Sequence, residues 1–158
     1  MLSPSPASTS PGRIAGIDFG TVRIGIAITD ARQTLASPFE NYTRRSTAVD
    51  GEHFRRLAAE EQITRFVVGL PVHLSGDESQ KSREARTFGQ WLQQITGLSV
   101  EFFDERFTTS EADQFLAGAD FTKKQRKARR DKLAAQIMLA AYLESQTRGA
   151  SEPLPLDD

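Results

Sequence analysis

Arg65-Phe-Val-Val-Gly-Leu70 is an apolar run stopped by Pro71. It lacks the polar alternation of a half-exposed strand, so it reads as a strand buried on both faces. Such a strand requires covering layers on each side of its sheet. The segments around it can supply them. Arg13–Asp18 and Ile24–Thr29 are short runs rich in β-branched residues, separated by Phe19-Gly-Thr-Val-Arg23, and predict two antiparallel strands joined by a Gly-containing turn. Ser37–Thr43 is a weaker strand signal with Pro38 at its edge. Phe54, Leu57, Ala58 and Ile63 follow helical spacing after Asp50-Gly51, with Asp50 a candidate N-cap. Glu78–Ile95 predicts a helix with Ala85, Phe88, Leu92 and Ile95 on one face and Gly97 as its stop. Leu98–Phe103 predicts a strand ending at Asp104-Glu105-Arg106. Thr109–Ala117 reads as a short helix, and a last helix spans about Gln125 to Gln146. An antiparallel start followed by βαβ crossovers makes the expected fold an α/β three-layer domain with a mixed sheet.

The 158-residue length suits one domain, expected over residues 13–148. Met1–Gly12 carries no charge, is rich in Pro and Ser, and reads as a disordered tail; residues 149–158 read as a disordered acidic tail. The first has neither the basic start nor the apolar stretch of a secretory signal. No window approaches the ~20 apolar residues of a membrane span, so a cytoplasmic location with no membrane partner is expected. The absence of Cys excludes a disulfide framework, thiolate metal ligation and a cysteine nucleophile, and two His are too few for a histidine-rich site.

A formal net charge of -1 taken as a total argues against a nucleic-acid partner, yet the charge is polarised. Phe121–Arg148 holds eight bases against Asp131 and Glu144, a net +6, while Arg13–Asp120 sums to -4 and the last ten residues to -3. Seven bases fall within the ten residues Lys123–Lys132, including Lys123, Lys124, Arg126, Lys127, Arg129 and Arg130. A charge run is commonly a solvated helix face, but this one leads into the helix that carries Asp131 and could grip a phosphate backbone.

Three acids stand at element ends or on an inward stripe. Asp18 ends the first strand and either hydrogen-bonds the following turn or serves a site. Asp104 and Glu105 end the strand after the Glu78–Ile95 helix, where α/β sheets collect ligands, although capping of the next helix would account for one of them. Adjacent strand residues point oppositely, so only one of this pair can face a given site. Asp131 lies within about 40° of Ala135, Met138 and Tyr142 on a helical wheel, on the stripe expected to pack against the sheet. There it needs either an arginine, such as Arg106 or Arg23, or a metal. Together these acids could form a cluster of hard oxygen ligands suited to Mg²⁺ or Mn²⁺, whose favoured chemistry is two-metal phosphodiester hydrolysis. Ser75-Gly76 could offer backbone N–H groups to a phosphate but matches no phosphate-loop pattern. His53 and His73 have no paired acid or nucleophile in view, and Trp91 and the ten Phe read as core.

Four blocks resemble the YqgF family of pre-16S rRNA nucleases, also described as Holliday-junction-resolvase-like proteins of RNase H-like fold. They are Gly16-Ile-Asp-Phe-Gly-Thr-Val-Arg-Ile-Gly-Ile-Ala27; Val67-Val-Gly-Leu-Pro71 with Ser75-Gly76; Phe103-Asp-Glu-Arg-Phe-Thr-Thr-Ser-Glu-Ala112; and Asp131-Lys-Leu-Ala-Ala135 with Ile137–Leu143. The resemblance covers about residues 13–145 and implies a mixed five-stranded sheet flanked by helices. It also implies a metal-dependent nuclease acting on structured ribosomal RNA precursor, with Asp18, Glu105 and Asp131 as catalytic and metal-binding acids. Thr21, Arg23, Asp104, Arg106 and Ser75 are expected in supporting positions. Two departures are His73, where the family usually has Asn, and the density of bases before Asp131. Competing readings are a DNA junction resolvase, an ATP-binding relative of the actin and Hsp70 class suggested by Asp18-Phe-Gly-Thr21, and a non-catalytic RNA-binding module. The sequence leaves monomer and homodimer open.

Overall fold

In a computed structural model of the chain, residues 12–71, 79–105 and 123–151 are described, with only the backbone of 123–132 and 148–151. The elements are β1 (Arg13–Asp18), β2 (Arg23–Thr29), β3 (Ala36–Thr43), α1 (Thr47–Glu60), β4 (Ile63–Leu70), α2 (Gln80–Thr96), β5 (Ser99–Asp104) and α3 (Lys123–Ser151). Among the described residues the strands form one five-stranded sheet in the order β3-β2-β1-β4-β5. β1 pairs antiparallel with β2, and β2 with β3; β4 lies parallel to both β1 and β5. The mixed α/β sheet is therefore as expected. The apolar run of β4 is interior, and Pro38 sits on edge strand β3, where no further ladder needs its missing N–H.

Side-chain alternation splits the core into two faces. Ala15, Ile17, Ile24, Ile26, Phe66 and Val68 pack with Phe54, Leu57, Phe88 and Leu92 of α1 and α2. On the other face Ile14, Ala27 and Val67 pack with Ala135, Met138, Leu139 and Tyr142 of α3. Gly16 lets α3 approach β1 closely, since a Cβ there would stand 2.9 Å from the Leu139 Cβ. The stripe predicted for α3 is thus the packed one at Ala135, Met138 and Tyr142.

Local details depart from expectation at helix ends. The cap of α1 is Ser46, whose hydroxyl accepts from the Val49 N–H, and not Asp50. Asp50 is instead buried in the first turn, where its carboxylate accepts from the Tyr42 hydroxyl (2.7 Å) and the Arg45 N–H (2.8 Å), with Arg44 Nε at 3.5 Å. α2 starts after Ser79, whose hydroxyl accepts from the Ser82 N–H, and stops at Gly97 in the left-handed conformation (φ 74°). α3 runs to Ser151, so the first residues of the segment read as an acidic tail continue the helix. The helix expected at Thr109–Ala117 lies outside the described residues.

Candidate active site

β1, β4 and β5 end on the same side of the sheet, and their alternation decides which acids meet. On β1, Ile14 and Gly16 contact the α3 layer, which assigns Asp18 to that face. On β5, Tyr142 donates its hydroxyl to Glu101 (2.9 Å) and stands edge-on to Phe103, so Glu101 and Phe103 share the α3 face. Two residues further, Glu105 continues that parity, whereas Asp104 belongs with Phe102 on the opposite one. Between them runs β4, whose Gly69 pairs with Phe103. A Cβ on Gly69 would collide with the Glu105 carboxylate and lie 3.1 Å from its Cδ. Gly69 thus opens the space through which Glu105 reaches across β4 towards Asp18.

The electrostatics record the same arrangement. Burial pushes the Glu105 carboxyl up to about 7, the negative charges of Asp18 and then Asp104 add to this, and Lys81 in the first turn of α2 opposes it. Asp18 also lines an open cavity of about 350 Å³ together with Thr21, Arg23, Asn41, Lys81 and Glu84. Two half-buried carboxylates, the charge of one disfavouring ionisation of the other, suit a hard divalent cation bound by oxygen donors. Among the described residues, no three His, Cys, Asp or Glu side chains gather closely enough to hold an ion.

Of the residues singled out from the sequence, the structure brings together Asp18 and Glu105, with Asp104 next to them on the other parity and Thr21 and Arg23 along the cavity wall. Asp131 and the run containing Lys123, Lys124, Arg126, Lys127, Arg129 and Arg130 form the start of α3, and their side chains lie outside the described residues. Ser75, His73 and Arg106 also lie outside them. His53 stacks on Tyr42 (4.0 Å between ring centroids) and meets Glu40 at 2.8 Å, away from the acids. Sequence reasoning missed Gly69, although a glycine inside an apolar strand is a sign of close approach. It also missed Lys81, for which an exposed helix start offers no signal.

The strand order β3-β2-β1-β4-β5, with helices on both faces of the mixed sheet, defines an RNase H-like domain. A family model, "RuvX: Holliday junction resolvase", matches residues 12–145. The chain belongs to this RuvX, or YqgF, family. It is 46% identical over 134 residues to a Rhodopirellula baltica protein named "Putative pre-16S rRNA nuclease", a match covering 85% of this chain and 78% of that protein. A Koribacter versatilis protein of the same name is 37% identical over 143 residues, covering 90% and 94%. Among solved structures, Thermus thermophilus RuvC in complex with Holliday junction substrate superposes with a TM-score of 0.53 at 13% identity, covering 86% of this chain and 97% of that one. The yeast mitochondrial Holliday junction resolvase Ydc2 superposes at 0.50 with 9% identity, covering 90% and 82%. Both similarities establish the shared fold. The chain is accordingly a nuclease, a hydrolase of nucleic-acid ester bonds. Among the described residues no helix is long and apolar enough to cross a membrane.

Proposed function

We propose that this nuclease is metal-dependent and cuts the RNA precursor of 16S ribosomal RNA in the cytoplasm. The observation that carries the metal reading is the meeting of Asp18 and Glu105 over Gly69 at the open end of the sheet. The RNA substrate is supported by the name shared by relatives up to 46% identical. Asp18 and Glu105, completed by Asp131 of α3, would hold Mg²⁺ or Mn²⁺. Bound there, the metal supplies an activated water and charge stabilisation at the leaving oxygen. The chain's own part is to hold the half-buried carboxylates of Asp18 and Glu105 together, with Lys81 and Arg23 beside the cavity at Asp18 that would admit the phosphate. Lys123, Lys124, Arg126, Lys127, Arg129 and Arg130 would bind the backbone through counterion release.

The test is to incubate the protein with Mn²⁺ and matched RNA, duplex DNA and four-way DNA. Cleavage of RNA alone, lost in Asp18→Asn while the fold survives, is the expected result. Full activity of that variant overturns the metal assignment. Cleavage of four-way DNA alone favours a second reading, junction resolution, which the description of the matching family model supports.

A further inference from the structure

A second cavity, of about 630 Å³, opens on the other side of the turn that follows Asp18. Its volume lies within the roughly 300–1,000 Å³ of small-molecule sites. Phe19, Phe88 and Trp91 form one wall, with ring centroids 4.9 Å apart for the first pair and 5.4 Å for the second. The Arg44 guanidinium lies 5.1 Å from the centre of the Phe19 ring. It is held there by Asp50, which is 1% exposed and anchored by the Tyr42 hydroxyl and the Arg45 N–H. Arg83, exposed on α2, adds a second cation to the lining.

This cavity and the one at Asp18 share Phe19, Thr21 and Glu84. Asp18 and Phe19 are consecutive residues of opposite parity, so the acids and the aromatic wall stand back to back across one turn. A strand crossing that turn can present a phosphate to the acids and a neighbouring base to the rings. Aromatic faces stack any base, and arginines at the margin suit its phosphate.

We propose that the cavity walled by Phe19, Phe88 and Trp91 receives an unpaired nucleobase of the strand being cut, adjacent to the bond at the Asp18–Glu105 site. This rests on the nuclease reading above and adds a subsite to it. The subsite selects substrates in which a nucleotide beside the cut is free to leave its stack.

Trp91 is the only tryptophan of the chain, which makes its fluorescence a direct reporter. The full chain, in EDTA so that no cleavage occurs, is titrated with a single-stranded RNA oligonucleotide, the same strand carrying abasic nucleotides, and mononucleotides. The expected result is quenching by the intact oligonucleotide, at least tenfold weaker apparent affinity for the abasic strand, and loss of the difference in Thr87→Phe, which places a bulky ring in the cavity lining, and in Arg83→Glu. Circular dichroism of both variants verifies that they fold. Equal quenching by intact and abasic strands overturns the proposal, as does quenching by mononucleotides alone, which would mark a site for a free nucleotide. Cleavage is measured separately with Mn²⁺. Base-dependent quenching without cleavage supports the subsite while the nuclease reading fails, and cleavage without base-dependent quenching does the reverse.

Discussion

The carboxylate of Glu105 occupies the space above Gly69 that a Cβ at that position would take. β4 therefore contributes to the site by having no side chain there, while its two neighbours contribute acids. Gly69→Ala is expected to fold, because Gly69 has no positive φ to satisfy, but to displace Glu105 from Asp18. For the ligand role proposed for Glu105, loss of its support is expected to cost roughly 10–100-fold in metal affinity or activity. Metal titration and initial rates of Gly69→Ala check this; wild-type values in both would refute the geometry.

Burial, with the neighbouring charges of Asp18 and Asp104, pushes the Glu105 carboxyl up to about 7 from its ordinary 4.5. The folded state then holds this proton more tightly than the unfolded chain does, so stability falls as pH rises from about 4.5 through about 7. Denaturation in EDTA at pH 5 and pH 8 is expected to show wild type losing up to about 3 kcal/mol relative to Glu105→Gln over that window. Mn²⁺ at pH 8 should restabilise wild type and leave Glu105→Gln unmoved. Parallel pH curves for the two proteins would contradict the burial and charge repulsion that raise this group.

Gly16 and Leu139 make the tight contact between sheet and α3. Gly16→Val is expected to destabilise by about 1–3 kcal/mol through overpacking. Leu139→Ala in the same chain should recover part of that loss by vacating the space. Urea midpoints of the two single variants and the double variant measure the coupling, and strict additivity would show that the contact is relaxed at no cost.

Asp50 is charged and buried, and although burial works against its charge, the Arg45 N–H, the Tyr42 hydroxyl and Arg44 hold its carboxyl below the usual range. Its contribution is present above the ordinary aspartate pKa and lost as pH falls through the lowered one. Asp50→Ala is expected to cost about 3 kcal/mol at pH 7, since it strands the Tyr42 hydroxyl and the Arg45 N–H. The difference from wild type should shrink in strong acid. A thermal unfolding series across pH tests both the size and the trend.

The basic start of α3 carries a prediction about salt. Replacing Lys124, Arg126, Lys127 and Arg130 with Gln should weaken RNA binding at all sequences and flatten the dependence of log K on log salt by roughly 0.7–0.9 per lost phosphate contact. Anisotropy titrations at several salt concentrations measure the slope. An unchanged slope would mean that these bases lie on a solvated face away from the RNA.

Much of this molecule was legible in local patterns. The apolar run 65–70 announced an interior strand, Gly97 a helix stop, and the spacing of Ala135, Met138 and Tyr142 the packed stripe of α3, because periods of two and 3.6 residues are properties of the backbone alone. Asp50 was misread as a cap because its true partners, Tyr42 and Arg44, come from the strand end and loop preceding α1, and only their packing brings them to it.

The order of the acids along the chain was likewise readable in sequence, and so was the rule that Asp104 and Glu105 must face opposite ways. Which of the two meets Asp18 was not. That choice depends on which face of β5 packs against α3, and Tyr142, Phe103 and Gly69 settle it from two other elements. Parity along a strand is a local property, whereas its sign relative to the rest of the sheet is set only when the layers close on one another.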